Sequence, residues 1–268
     1  ADAVGAINLA RLVGEAGFDF AGLERCVAIA VRQFHRVHAV GTAADDARPI
    51  HLGVMGLQDV FFQLKLPFDG YDARVLSTAI ARSICHQALQ SSCSDVATIS
   101  ICGDARLALI AGCYDCAEPQ RSNVARRQTR AGRVAEINRY LVEDLKEAGV
   151  WSPAMREAIT RADGSVQAID GIPDALRTLY RTAWELSGLA LIDLAADRST
   201  FVEHGFALTL YYSDVSVAQL SRMYLYAWRS GLKATCTVLS RNDRRPGERW
   251  HLSGVPSLHA LPDSLRVN

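Results

Sequence analysis

The sequence is short of lysine, of aromatic residues, of methionine and of any net charge. Only Lys65, Lys146 and Lys233 are lysines, so 26 of the 29 basic residues are arginines. In an alanine-rich chain that imbalance reads first as GC-rich coding, before it reads as a binding signal. The 29 basic residues are matched by 29 acidic ones, which argues against a nucleic-acid scaffold, whose phosphate contacts need a basic surplus. No apolar run approaches the ~18 residues that a membrane-spanning helix needs. The opening ADAVGAINLARLVGEAG has no basic stretch followed by an apolar one, so no secretory signal is expected there. Internal repeats and low-complexity tracts are also missing. What the chain does have is bulk: of its 268 residues, 49% are hydrophobic and 22% charged. That is enough for a sizeable core, and it excludes a disordered, collagenous or disulfide-stapled chain. The seven cysteines are an odd number in mostly apolar surroundings, which points to free thiols and a reducing compartment.

Apolar spacing organises much of the chain. Leu23, Cys26, Val27, Ala30, Val31 and Phe34 form one helical stripe within a helix expected over 19–40. A polar loop follows at 41–48, then a segment from Gly53 that runs into a helix ending before Pro67. Another amphipathic helix is expected over 72–95, and a short strand over 98–102. The Arg-rich stretch 121–133 reads as irregular. A helix over 135–148 is closed by Gly149, and Ser152-Pro153 starts the next as N-cap and first-turn proline. Pro173 opens a long helix expected to reach Asp197. The last third predicts a strand over 206–212, a helix over 217–230 and a strand over 232–239. This β-α-β order implies two parallel strands. Residues 241–268 read as a mostly irregular tail.

Several residue sets could carry chemistry. Cys113-Tyr114-Asp115-Cys116 is a C-x-x-C, either a redox pair or half a zinc site, or two small residues in a turn after a strand. No second pair at ligand spacing accompanies it. Gly103, Asp104, Ala105, Arg106 and Leu107 follow the expected strand where an anion-binding turn could open. Asp104, however, puts a carboxylate where an anion would sit. The arginines at 121, 126, 127, 130 and 133 form a basic run that reads as a solvated surface more readily than as a partner site. His35 and His38 share a helix with no third ligand nearby. Asp193 and Asp197 lie four apart beside Arg198, consistent with a local ion pair. Tyr211-Tyr212 and 223–228 read as core stripes. The residues alone stop at an α/β domain with no convincing catalytic set, metal site or cofactor site.

In combination, several segments resemble the large subunit of class I ribonucleotide reductase. They are Arg48-Pro49-Ile50-His51-Leu52-Gly53-Val54-Met55-Gly56-Leu57-Gln58-Asp59, Ala117-Glu118-Pro119, and Tyr140-Leu141-Val142-Glu143-Asp144-Leu145. Then come Gly149-Val150-Trp151, 163–167, 172–174, Leu179 to Glu185 and Gly231-Leu232-Lys233, all in the family's order. Within the family, 191–198 and 202–211 look most like the herpesvirus branch. The resemblance implies an α/β fold, the C-terminal part of a ten-stranded α/β barrel, over 1–268. It implies that the upstream half of the same barrel is a partner. The loop bearing the family's radical cysteine would lie upstream of Ala1, so the chain as it stands is not expected to reduce a ribonucleotide.

The same resemblance marks departures. The family's hydroxyl-rich phosphate loop falls on Gly103, Asp104, Ala105, Arg106 and Leu107, where the hydroxyls are gone. Its two radical-relay tyrosines fall on Thr237 and Val238, neither reversibly oxidisable. Its barrel cysteine falls on Ile7, and no cysteine follows Cys236. The loops before Arg48 and between Asp95 and Thr98 are short for the family. These losses predict a catalytically inactive homologue of herpesvirus type without a cofactor. Such a protein would act as a scaffold in the host cytoplasm or virion, binding host signalling proteins such as RIP-type kinases and interfering with cell death or innate immunity, with neither nucleic acid nor membrane as partner. The alternatives are the C-terminal half of a divergent active ribonucleoside-diphosphate reductase, or a non-catalytic regulatory subunit.

Overall fold

The computed structural model describes residues 3–41, 50–91, 105–129, 132–202, 207–212 and 215–239. Strand β1 (Ala3–Asn8) leads through one turn of 3-10 helix (Leu9–Leu12) into a small hairpin, β2 (Val13–Gly14) and β3 (Gly17–Phe18). Helix α1 (Phe20–Gly41) follows, with the expected stripe inward: Leu23, Val27 and Val31 are all buried. It forms the crossover to β4 (Ile50–Met55), which pairs parallel with β1 and sets Ile7 opposite Val54. Sequence reading places neither strand, because β1 and β4 are almost continuously apolar and lack the alternation of a half-buried strand. Short helix α2 (Leu57–Gln63) is followed by α3 (Tyr71–Ser91), then by α4 (Ala105–Ala111).

The middle of the chain corrects two expectations. The Arg-rich stretch is a β-hairpin, β5 (Val124–Thr129) with β6 (Gly132–Ile137), paired antiparallel from Val124↔Ile137 to Thr129↔Gly132. Its pairing rests on backbone bonds, which side-chain polarity hides. The next helix, α5 (Arg139–Glu147), therefore starts later than expected, at an Asn138 N-cap whose side chain accepts from the Tyr140 amide. Helix α6 (Pro153–Arg161) has the anticipated cap, with Met155 N–H donating to Ser152 Oγ at 3.1 Å. The long helix from Pro173 is instead two, α7 (Asp174–Leu179) and α8 (Gly188–Ser199). The chain is drawn off the helical path between them by outside partners. The Tyr180 carbonyl accepts from Asn123 Nδ2 at 2.8 Å, and the Ala183 amide donates to the Gln120 carbonyl at 2.8 Å.

The last third follows the expected β-α-β order. Strand β7 (Ala207–Tyr212), helix α9 (Val217–Arg229) and strand β8 (Ala234–Leu239) form a parallel pair in the register Tyr211↔Val238. Helix α9 opens with a full capping box between Ser216 and Gln219. The two βαβ units share one core. Ile7, Leu52, Val54, Val27 and Phe61 join Ile80, Ile192, Leu208 and Leu210 in a single buried cluster. A second cluster, with Phe62, Leu141, Leu145, Ile159 and Tyr180, lies under the hairpin and α5 to α7. Among the described residues the strands make four two-stranded sheets, so the barrel is present here as parallel strand pairs, not as a closed ring. The expected loop 41–48, the strand 98–102, the shortened segments and the tail 241–268 lie largely or wholly outside the described residues.

Candidate functional site

The residues at the C-terminal ends of β1 and β4 converge on one connection, 112–120. At Gly56 the chain turns with φ of +78°, and a Cβ there would meet Asn8 Oδ1 at 3.1 Å and the Ala10 amide nitrogen at 3.3 Å. A side chain at this position would thus be both strained and crowded. The turn lets the Gly56 amide donate to the Tyr114 carbonyl at 2.8 Å, while the Tyr114 amide donates to Asp59 Oδ2 at 2.8 Å. Next to it, Gln58 Oε1 accepts the Gln120 amide. Gln58 and Asp59 are buried polar side chains, and each answers a backbone donor of the connection. The far side of the connection is held as firmly. The Thr209 amide of β7 donates to Glu118 Oε1 at 2.8 Å, and Arg198 of α8 donates to the Ala117 carbonyl at 3.0 Å.

Burial sets the electrostatics. It pushes the carboxyl of Asp59 above its usual range, against the pull of the Tyr114 amide and of Arg139. It does the same to Glu118, opposed by the Thr209 amide and by Arg198. Burial also lowers Arg198 to about 10, with Glu118 and Cys116 opposing. The thiols of the C-x-x-C are held protonated: burial and the Asp59 charge push Cys113 up to about 11, and burial pushes Cys116 up to about 12. A redox or metal thiolate needs the opposite shift. No group of three or more His, Cys, Asp or Glu among the described residues could hold a metal. The pair sits in the connection after a helix, α4, and not after a strand.

The other sequence candidates are scattered. Gly103 and Asp104 lie outside the described residues, while Ala105, Arg106 and Leu107 form the first turn of α4. Ile7 is buried in β1. Thr237 lies on β8 with its hydroxyl 2.6 Å from the Tyr224 hydroxyl, and Val238 pairs with Tyr211, whose ring meets Trp184 edge-on at 5.0 Å. Asp193 and Asp197 are indeed ion-paired, but with Arg74 of α3 in place of the adjacent Arg198. Of the basic run, Arg126 pairs with Asp163. His35 is engaged within the fold, and the side chain of His38 lies outside the described residues. The stripe at 223–228 is core only at Ala227 and partly at Met223. Tyr224, Leu225, Tyr226 and Trp228 are exposed, Trp228 by 68%, because α9 covers its strands with one narrow edge.

Comparison with known proteins fits this geometry. The chain matches the family described as ribonucleotide reductase, barrel domain, over residues 3–100 and 97–238. It is 31% identical to the ribonucleoside-diphosphate reductase large subunit of Dictyostelium discoideum, over 88% of this chain and 33% of that protein. The corresponding subunit of Acanthamoeba polyphaga mimivirus is 33% identical over 69% of this chain and 27% of its own length. The chain thus spans about a third of the length of these relatives. Among solved structures, the Actinobacillus ureae class Id ribonucleotide reductase alpha subunit superposes with a TM-score of 0.70 at 19% identity, covering 88% of this chain and 49% of that one. These relatives overturn the expectation of a non-enzyme: the proteins matched over most of this chain are named as reductase large subunits. They likewise lend nothing to a herpesvirus type or a host-signalling scaffold, and they favour the reductase alternative. No helix among the described residues is long and apolar enough to cross a membrane. The fold, the motifs gathered on the connection 112–120 and the matched relatives agree, and the chain belongs to the ribonucleotide reductase barrel-domain family.

Proposed function

We propose that this chain is the C-terminal barrel segment of a divergent ribonucleoside-diphosphate reductase large subunit, working with the remainder of that barrel and with a small subunit. The observation that carries the reading is the connection 112–120. Segments that resemble the family in sequence, 56–59, 182–185 and 191–198, also hold this connection in place through hydrogen bonds, and the family-like 117–119 lies within it. Such a framework fixes the C-terminal mouth of the parallel strands, where α/β proteins place their ligands. Ile7, Thr237 and Val238 carry no group that can be oxidised reversibly. In this reading the radical and the reducing electrons therefore travel through other side chains of the complete protein. The test is turnover: the full-length protein that contains this chain, mixed with its small subunit, should convert a ribonucleoside diphosphate to the deoxy product. No product above the rate of the isolated subunits overturns the reading.

A further inference from the structure

Beside the connection 112–120 lies a polar cavity of about 400 Å³, and two arginines face it. Arg11 comes from the 3-10 turn after β1 and Arg139 from the first residue of α5. Asn8, Gln63, Tyr140 and Glu143 complete its polar lining. Arg139 is held in a fixed plane. Its Nη2 donates to the Tyr140 hydroxyl at 2.6 Å, and its guanidinium lies over the Tyr140 ring at 4.7 Å from the centroid. Asp59 and Glu143 both act on it electrostatically. Arg11 is exposed, and among the described residues no carboxylate pairs with it. Glu143 is the one acidic side chain on the wall, against two guanidiniums and the positive end of α5. The amide donors are spent on backbone carbonyls, so the positive charge of the cavity comes from the guanidiniums. Asn8 Nδ2 covers the Ala111 carbonyl at 3.4 Å, and Gln63 Nε2 covers that of Ala10 at 3.1 Å.

We propose that Arg11 and Arg139 form a diphosphate-binding cradle in this cavity, separate from residues 103–107. Two planar guanidinium forks suit two linked phosphate groups, whereas a single carboxylate would engage only one of them. That the diphosphate belongs to a nucleotide rests on the reductase reading above; the anion site does not. The experiment is calorimetric titration of inorganic pyrophosphate, then of a ribonucleoside diphosphate, into the full-length protein. The parent protein should bind both, more weakly as salt is raised. Arg11→Gln, an exposed change that leaves the fold intact, should weaken pyrophosphate binding about tenfold, equivalent to about 1.4 kcal/mol. Arg139→Lys should weaken it less than Arg139→Gln. A parent that does not bind pyrophosphate, or an Arg11→Gln protein that binds like the parent, overturns the proposal. So does loss of binding on Arg106→Gln alone, which would place the anion at the start of α4. Pyrophosphate binding that depends on Arg11 in a protein without reductase turnover would sink the reductase reading and leave the cradle standing. Turnover with Arg11-independent binding would do the reverse.

Discussion

The connection 112–120 and the β8–α9 edge are built differently, although β7 touches both. In the connection, buried Gln58 and Asp59 answer backbone donors, and Glu118 and Arg198 tie it to β7 and α8. At the edge, Thr237 meets Tyr224 near the surface, and Val217, Leu225 and Trp228 face outward. Family-like segments at 56–59 and 117–119 meet in the first region, while the second holds Thr237 and Val238, two of the departures that the sequence resemblance implies. A framework whose polar groups are buried tolerates little change, since each loss leaves an orphaned donor or acceptor. A strand edge that is partly open can exchange side chains at small cost in stability, even where the exchange alters chemistry.

The contrast can be broken by mutation. Asp59→Ala removes the acceptor of the Tyr114 amide inside the framework and should lower unfolding free energy by about 2–3 kcal/mol in urea titration. A loss near zero would mean that water replaces the carboxylate and that the connection is not held from this side. A smaller effect is expected from thiol chemistry. With burial pushing Cys113 to about 11 and Cys116 to about 12, both should alkylate with iodoacetamide at pH 8 at least about tenfold more slowly than exposed Cys26 and Cys236. Peptide mass spectrometry after timed labelling reads this directly, and equal rates would show that the connection opens freely. The smallest effect belongs to the edge. Tyr224→Phe deletes the hydroxyl contact to Thr237 and should change stability by less than about 0.5 kcal/mol, in the same urea titration. A loss as large as that of Asp59→Ala would erase the distinction between the two regions.

Local order was legible where one element answers to its own residues. The stripe of α1, the Ser152 cap of α6 and the β-α-β order of the last third need only periodicity and capping chemistry, and they stand in the structure. Contacts made at long range were not. Asp193 and Asp197 lie 119 and 123 residues from Arg74, whereas Arg198 directly follows Asp197 and is the partner that local spacing suggests. Arg198 itself is drawn inside to the Ala117 carbonyl. The break between α7 and α8 depends on Asn123 and Gln120, and no local pattern marks it. The hairpin β5–β6 was hidden by its arginines, whose polarity masks a ladder made of backbone bonds. At the candidate site, Glu118 was visible only as part of a family-like triplet, and its role emerges with the Thr209 amide across 91 residues. Arg11 and Arg139 carried no sequence signal, because neither spacing nor composition brings them to one cavity.

The positive-φ turn at Gly56 has a consequence for how the molecule opens. Its amide, the Tyr114 amide and the Gln120 amide all lie in one lattice of bonds with Gln58 and Asp59, and the Thr209 amide is tied into the same connection through Glu118. Freeing any one of them to exchange its proton with water requires the connection to lift as a piece, since no single bond can swing away while its neighbours hold. The turn is thus expected to latch a cooperative unit, in which the Tyr114 and Thr209 amides, far apart in the chain, should exchange in step.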